Sequence, residues 1–213
     1  MIKLIVFDLD GVLVDSVHIH KNTLNEAIKE IAGSEFIPTD EEEELYYNGL
    51  KTHDKLHLLI KDKGLPSKYF TEIWNKKQSL TLSELLKIKK NVVHCNMFED
   101  LKNLEYKIAC CSNSIKQSVL ITLSNLGLLQ YFDLILSNED VKHSKPHPEI
   151  YWSAMSFFGV LPEETIIVED SPNGLLSAER SGANVIKVKS PNDITSNKII
   201  ESIGILNEKN YST

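Results

Sequence analysis

Five short apolar runs set the tightest limit on how this chain can fold. They lie at Lys3–Asp8 (KLIVFD), Tyr106–Ser112 (YKIACCS), Phe132–Ser137 (FDLILS), Thr165–Asp170 (TIIVED) and Asn184–Val188 (NVIKV). Each is long enough for a strand and too continuously apolar to keep one face in water, the pattern of strands covered on both sides in a parallel sheet. Helical patterns fall between them at Ile115–Leu126, Glu149–Phe158 and Pro172–Ser181. This alternation predicts an α/β fold, a mostly parallel sheet flanked by helices, with ligands expected just beyond the C-terminal ends of the strands.

One stretch breaks the alternation. Between about Val17 and Leu86 no strand pattern is visible and four helices are expected. The first covers His18–Ile31. Thr39 with Glu42 three residues on forms a capping-box pattern that opens the second. Thr52 is expected to cap the third, which runs through Lys61 and ends at Gly64 and Pro66. The fourth runs from about Ser67 into Leu80–Leu86. The expected division is a catalytic core of residues 1–15 and 87–213 with a small all-α domain, residues 16–86, inserted after the first strand.

The net charge of −7 offers no general attraction to nucleic acid or to an anionic membrane, so neither is expected as a partner. MIKLIVFDLD reads as a core strand rather than a signal peptide, and no apolar stretch reaches the length of a membrane span. Of the 3 cysteines, Cys110 and Cys111 are neighbours in a strand and point to opposite faces. A disulfide framework is therefore not indicated, and a cytoplasmic location fits. Arg180 is the only arginine, so an anionic substrate has to be met by lysine and backbone N–H groups.

Asp8 and Asp10 end the first run one residue apart, and Glu169-Asp170 ends the fourth. Solvation in a loop explains one such acid well and two less well, because crowded carboxylates beside a buried strand repel unless a cation or proton separates them. Four acids on one rim can share a divalent ion, and an all-oxygen set suits magnesium. The other strand ends carry Ser112-Asn113-Ser114 before a helix, where hydroxyls and N–H groups can hold phosphate, and Ser144-Lys145-Pro146-His147-Pro148, where prolines stiffen a loop carrying a point charge.

In that order, Asp8-Leu9-Asp10-Gly11, Ser112, Lys145 and Glu169-Asp170 resemble the four motifs of the haloacid dehalogenase superfamily, in its phosphatase and phosphomutase branch. The match runs from Lys3 to about Val188, and the helical insertion is similar to that family's small cap. The resemblance implies a Rossmann-like core, bound Mg2+ and a set of roles. Asp8 is the nucleophile that forms an aspartyl-phosphate, and Asp10 is the general acid and base. Asp8, the Asp10 carbonyl and Asp170 are metal ligands, with Glu169 supporting the metal's waters. Ser112, Asn113 and Lys145 hold the phosphoryl oxygens. Ser16 is read as the cap of the first inserted helix, and Asn173 as a turn former.

The resemblance places His20 where a cap histidine faces the site, to touch substrate or stand as an ordinary surface histidine, and Asn48–His53 as the specificity loop, from which Lys51 contacts substrate in the cleft or is solvated at a helix start. The leading expectation is hydrolysis of a small phosphate monoester, a sugar phosphate, by a monomer or weak homodimer. The alternative is a β-phosphoglucomutase-like isomerase; such enzymes usually carry an arginine after the loop glycine, where this chain has Leu50, Lys51 and Thr52. Carbon–phosphorus cleavage through a lysine Schiff base and a non-enzymatic phospho-aspartate receiver are weaker. Asp10 argues against the first, and the helical insertion with the late acid pair argues against the second.

Overall fold

The computed structural model describes residues 1–211. All five apolar runs are strands: β1 (Leu4–Phe7), β2 (Lys107–Cys111), β3 (Leu134–Leu136), β4 (Thr165–Glu169) and β5 (Asn184–Lys187). They form one parallel sheet in the order β3-β2-β1-β4-β5. The chain builds outward from β1 to β3, then crosses back to place β4 on the other side of β1. Strand order therefore reverses beside β1, the position at which open α/β sheets bind ligands.

Alternation along the strands sends successive residues to opposite layers. Ile5, Phe7, Ile108, Cys110, Ile166 and Val168 share one buried cluster with Phe98, Leu101, Val119, Leu123, Ile199 and Ile203. Leu4, Val6, Ala109, Cys111 and Ile167 share the other with Ile150, Tyr151, Ala154, Met155 and Ala178. Cys110 and Cys111 thus belong to different layers, and Cys95, Cys110 and Cys111 are all free thiols.

Between β1 and the core helix that precedes β2 stand four α-helices: α1 (Val17–Ile31), α2 (Asp40–Glu42), α3 (Thr52–Lys63) and α4 (Phe70–Leu85). They enclose a hydrophobic cluster of their own, centred on Leu24, Ala27, Ile28, Tyr47, Leu56, Leu59, Leu65 and Ile73. Both halves of the Thr39–Glu42 capping box form. The helix it opens is short, passing at once into a single π turn over Glu43–Tyr47. Thr52 is not the cap of α3; Lys51 occupies that position with no side-chain cap bond. Gly64 ends α3 in the left-handed conformation, as its position in the sequence suggests.

The core helices α6 (Lys116–Leu126), α7 (Glu149–Phe158) and α8 (Pro172–Ser181) match their sequence patterns to within a residue. Two further helices, α5 (Val92–Asn103) and α9 (Ser196–Tyr211), were not anticipated. The first opens on two exposed β-branched residues, Val92 and Val93, which disguise its period; Asn91 caps it by accepting a bond from the His94 N–H at 3.0 Å. Among the described residues no helix is long and apolar enough to cross a membrane.

Two glycines keep the strand ends close together. Gly11 has φ +89°, and a Cβ there would stand 2.1 Å from Asp170 Oδ2. Gly174 lies in the first turn of α8, where a Cβ would stand 1.9 Å from Glu169 Oε1. Gly174→Ala therefore sets two effects against each other. The helix gains about 1 kcal/mol of intrinsic propensity. Displacing the buried Glu169 carboxylate disturbs its ion pair, at about 3–5 kcal/mol. Urea denaturation is expected to show a net loss of about 2 kcal/mol or more; an unchanged or raised midpoint would mean that Glu169 is free to move.

Candidate active site

Strand register brings the acids together. Phe7 pairs with Val168 on one side and with Cys110 on the other, so the next residue, Asp8, stands level with Glu169 and Cys111. The Asp8 N–H continues the ladder to the Val168 carbonyl at 3.0 Å. Asp8, Glu169 and Asp170 each bring a carboxylate oxygen to within 4.8 Å of the others. Asp8 is 7% exposed and Glu169 is fully buried, so water does little to separate these charges.

One ammonium group sits among them. Lys145, 3% exposed, donates to Asp8 Oδ1 at 2.6 Å, to Glu169 Oε1 at 2.7 Å and to the Cys111 carbonyl at 2.8 Å. Its three hydrogens are thereby spent on protein oxygens. Tyr151 adds a hydroxyl bond to Glu169 Oε1 at 3.0 Å, with its ring 4.9 Å from the Lys145 ammonium. The loop that presents Lys145 contains a cis Lys145–Pro146 peptide. Burial opposes charge on Lys145, but Asp8 and Glu169 outweigh it and hold the ammonium well above the usual lysine range.

Three carboxylates and one ammonium leave two negative charges uncompensated. Burial first, then the charges of Glu169, Asp170 and Asp10, push the Asp8 carboxyl well above its ordinary range despite Lys145. Burial and Glu169 likewise push Asp170 up to about 7. Asp170 Oδ1 is buried without a hydrogen-bond partner. A doubly charged cation with oxygen-only ligands fits this deficit in charge, donor type and the orphaned oxygen, and Mg2+ is such an ion.

Asp10 has different surroundings. His20 Nε2 lies 3.0 Å from Asp10 Oδ1, which also accepts from the Ser16 hydroxyl, and Ser114 donates to Oδ2 at 2.7 Å. Ser112 Oγ is 3.4 Å from Oδ2. Burial works to raise the Asp10 carboxyl, but His20, Ser16 and Ser114 outweigh it and hold the group well below the usual carboxylate range. Lys77, buried on α4, points its ammonium at His20 Nδ1 from 3.1 Å. An ammonium can only donate, so His20 accepts at Nδ1 and carries its proton on Nε2, toward Asp10.

Several expectations change in detail. The Ser16 side chain makes no cap bond to α1; its hydroxyl goes to Asp10 instead. Asn173 does more than form a turn, since its amide donates to the Asn48 carbonyl at 2.6 Å. The Asn113 amide donates to the Gly49 carbonyl at 2.8 Å, and its oxygen accepts from the Lys145 N–H at 3.1 Å. Asn113 and Asn173 thus join the core to the Asn48–Gly49 turn, and any phosphate contact from Asn113 is left to its backbone. His20 does face the site, but what it touches is Asp10. Lys51 lines the cleft, with its ammonium 3.8 Å from Asp54 Oδ1.

Ser114 and Lys77 were missed as members of the site. Ser114 lies within a triplet already singled out, whereas Lys77 shows a weak signal, a lysine spaced by four from buried Ile73 and Thr81 on one helix face. A cavity of about 340 Å³ lies between the two parts of the chain, with Asp8, Asp10, Ser112 and Lys145 on the core side. His20, Leu24, Lys51, Lys55, Trp74 and Lys77 line the side of the insertion.

The model of the haloacid dehalogenase-like hydrolase family matches residues 5–188. A phosphorylated carbohydrates phosphatase of Thermotoga maritima is 29% identical over 180 residues, 84% of this chain and 81% of that protein. A pyrophosphatase PpaX of Oceanobacillus iheyensis is 28% identical, covering 88% of this chain and 83% of its own. The fold is shared with β-phosphoglucomutase from Clostridium difficile, at a TM-score of 0.82, 23% identity and coverage of 98% and 99%. The family match reaches all five strands and takes in all four strand-end motifs; the chain belongs to the haloacid dehalogenase-like hydrolases.

Proposed function

We propose that this chain is a Mg2+-dependent phosphatase that hydrolyses a small phosphate monoester, of the sugar-phosphate class, through an aspartyl-phosphate on Asp8. The observation that carries the reading is the pairing of two carboxylates in opposite electrostatic settings on one strand end. Asp8 sits in a cluster short of positive charge, and Asp10 is ringed by donors. The named phosphatase relatives support a phosphate ester as the substrate, and the Thermotoga enzyme supports a carbohydrate.

Asp8 needs no base, since a carboxylate is ionised once its charge is matched. Its free oxygen attacks phosphorus, the ester oxygen departs, and the proton that oxygen needs comes from Asp10. In the second half Asp10 takes a proton from the water that cleaves the acyl-phosphate, which returns Asp8. The bonds from Ser16, His20 and Ser114 hold Asp10 in its basic form, the form the second half requires. For the first half Asp10 must carry a proton, which it takes up when substrate displaces one of these donors and which the attacking water restores in the second half. Ser112 Oγ and the Asn113 N–H hold phosphoryl oxygens, and Lys145 joins them by turning one hydrogen from Asp8 to the phosphoryl group. Asp8, the Asp10 carbonyl and Asp170 would hold the magnesium, with Glu169 behind them; when bound, the ion supplies the positive charge that lets two anions meet.

Residues 16–86 act as a cap over this site. Core and cap meet through the Asn113 and Asn173 amides on the Asn48–Gly49 turn.

Asp8→Asn is expected to cut phosphate release from a panel of sugar phosphates with magnesium by about 10⁴-fold or more, with an unchanged circular dichroism spectrum. Retained turnover would remove Asp8 as nucleophile. Interconversion of hexose 1- and 6-phosphates without phosphate release would replace hydrolysis by the mutase reading.

Metal dependence has a pH signature. Asp8 and Asp170 are raised in the folded, metal-free protein. Between the unfolded carboxyl value and about pH 7 the folded state keeps protons that the unfolded state loses, so metal-free stability falls as pH rises through that window. Magnesium replaces those protons. The rise in melting temperature on adding Mg2+ is therefore expected to be larger at about pH 8 than at about pH 5. Asp170→Asn is expected to abolish that difference; an equal rise at both pH values would argue against this metal site.

Double replacement of Asn113 and Asn173 by alanine tests the cap. It removes both amide bridges and is expected to raise KM about tenfold, or about 1.4 kcal/mol, while leaving the melting temperature nearly unchanged. An unaltered KM would show that these amides do not hold the closed arrangement.

A further inference from the structure

The β3–α7 loop that presents Lys145 also carries a set of side chains that the proposed reaction does not use. His143, His147 and Glu149 bring two imidazole nitrogens and a carboxylate oxygen to within 4.8 Å of one another. Glu149 Oε2 lies 2.7 Å from His143 Nδ1 and 3.9 Å from His147 Nδ1. Ligands of a tetrahedral zinc ion, each about 2.0–2.1 Å from the metal, stand about 3.3 Å apart. The two observed distances straddle that value, so small side-chain rotations bring all three atoms to one ion.

The surroundings aim these groups. Glu149 Oε1 accepts from the Lys142 N–H at 2.8 Å and Oε2 from the His143 N–H at 3.0 Å, so the backbone holds the carboxylate. Ligating carboxylates are commonly held in this way. The His147 ring stands edge-on to Trp152 at 5.7 Å and 4.8 Å from the His143 ring. Pro146 and Pro148 flank His147 and limit its backbone. A long, weak bond of 3.3 Å from the Glu149 N–H reaches the lone pair of His147 Nδ1, and an ion at that nitrogen takes its place. The three side chains are 53%, 45% and 28% exposed, so an ion reaches them directly from solvent.

We propose that His143, His147 and Glu149 form a surface site for a zinc-class divalent ion, with water completing the shell, separate from the oxygen-only cluster of Asp8, Glu169 and Asp170. The donor sets divide the metals: imidazole favours zinc, nickel and copper, and carboxylates favour magnesium. Binding at Nδ1 moves the proton that His143 shares with Glu149 to Nε2, so the imidazole ligates as the neutral tautomer. The ion ties the His143 end of the Lys145 loop to the first turn of α7.

The test is calorimetric titration of zinc into the untagged, metal-stripped full chain in excess magnesium. One zinc per chain is expected. His143→Ala and His147→Ala are each expected to weaken it about tenfold or more. His57→Ala serves as the control, because His53 and His57 form another imidazole pair, with ring centroids 4.6 Å apart. Zinc is also expected to shift the ring-proton resonances of His143 and His147 in the unmutated protein, a readout that does not depend on how the variants fold. Unshifted His143 and His147 resonances would overturn the proposal. So would undiminished zinc binding in His143→Ala, or loss of binding only in His57→Ala or Asp170→Asn.

Discussion

A single buried ammonium group among crowded carboxylates governs the arrangement of this molecule's strand ends. Lys145 reaches Asp8, Glu169 and the Cys111 carbonyl at once, and so ties β1, β2 and β4 together at their C-terminal ends. Removing either partner from a buried ion pair leaves a charge that nothing solvates, so such a cluster tolerates little change. The neighbouring residues reflect that constraint. Gly11 and Gly174 leave room where any side chain would strike Asp170 or Glu169. Tyr151 fills the remaining space while giving Glu169 a hydroxyl bond. Even so, the cluster is short of positive charge, which is why a divalent ion belongs to its proposed chemistry.

The second acid is governed by its hydrogen bonds. Asp10 draws donors from α1 (His20), the turn before it (Ser16) and the loop after β2 (Ser114). These partners come from both the sheet and the insertion, so Asp10 senses how the two parts are placed. Moving the insertion away from the sheet would take His20 on α1 and Lys77 on α4 with it and relax the pull that keeps Asp10 ionised. In the proposed mechanism Asp10 must both release and accept a proton, and an adjustable set of donors serves that need better than a fixed one.

Much of this was legible in the sequence. The strands carry no polar alternation, so all five stood out, including the half-buried edge strands β3 and β5, and a cluster of acids at their ends has few explanations other than chemistry. What escaped notice depends on three-dimensional proximity. Lys77 is a mid-helix lysine until α4 crosses α1. Asn113 and Asn173 look like loop residues until the Asn48–Gly49 turn is laid against them. Ser16 stands where a helix cap is expected, but its hydroxyl is turned to donate to the Asp10 carboxylate and accepts no helix N–H. Helix α5 was hidden by Val92 and Val93, whose strand preference is overridden once Met97, Phe98 and Leu101 bury against the sheet.

The cap-side wall of the cavity bears on which phosphate chemistry suits the protein. It is rich in lysine, yet most of those charges are engaged. Lys55 is paired with buried Glu43 at 2.6 Å, and Lys77 is turned toward His20. Lys51 is left with the loosest tie, 3.8 Å from Asp54. Arg180, the only arginine, is on α8 and bonds the Pro146 carbonyl. The insertion therefore offers the cleft one lightly held point charge and no bidentate clamp. A mutase has to grip a second phosphate while the first is exchanged, and a single lysine supplies neither the directionality nor the number of donors for that. A hydrolase needs only to orient the body of its substrate, for which one lysine, the Trp74 ring and the Leu24 side chain are adequate. The distribution of charge on the cap side thus supports hydrolysis over isomerisation independently of the acids on the sheet.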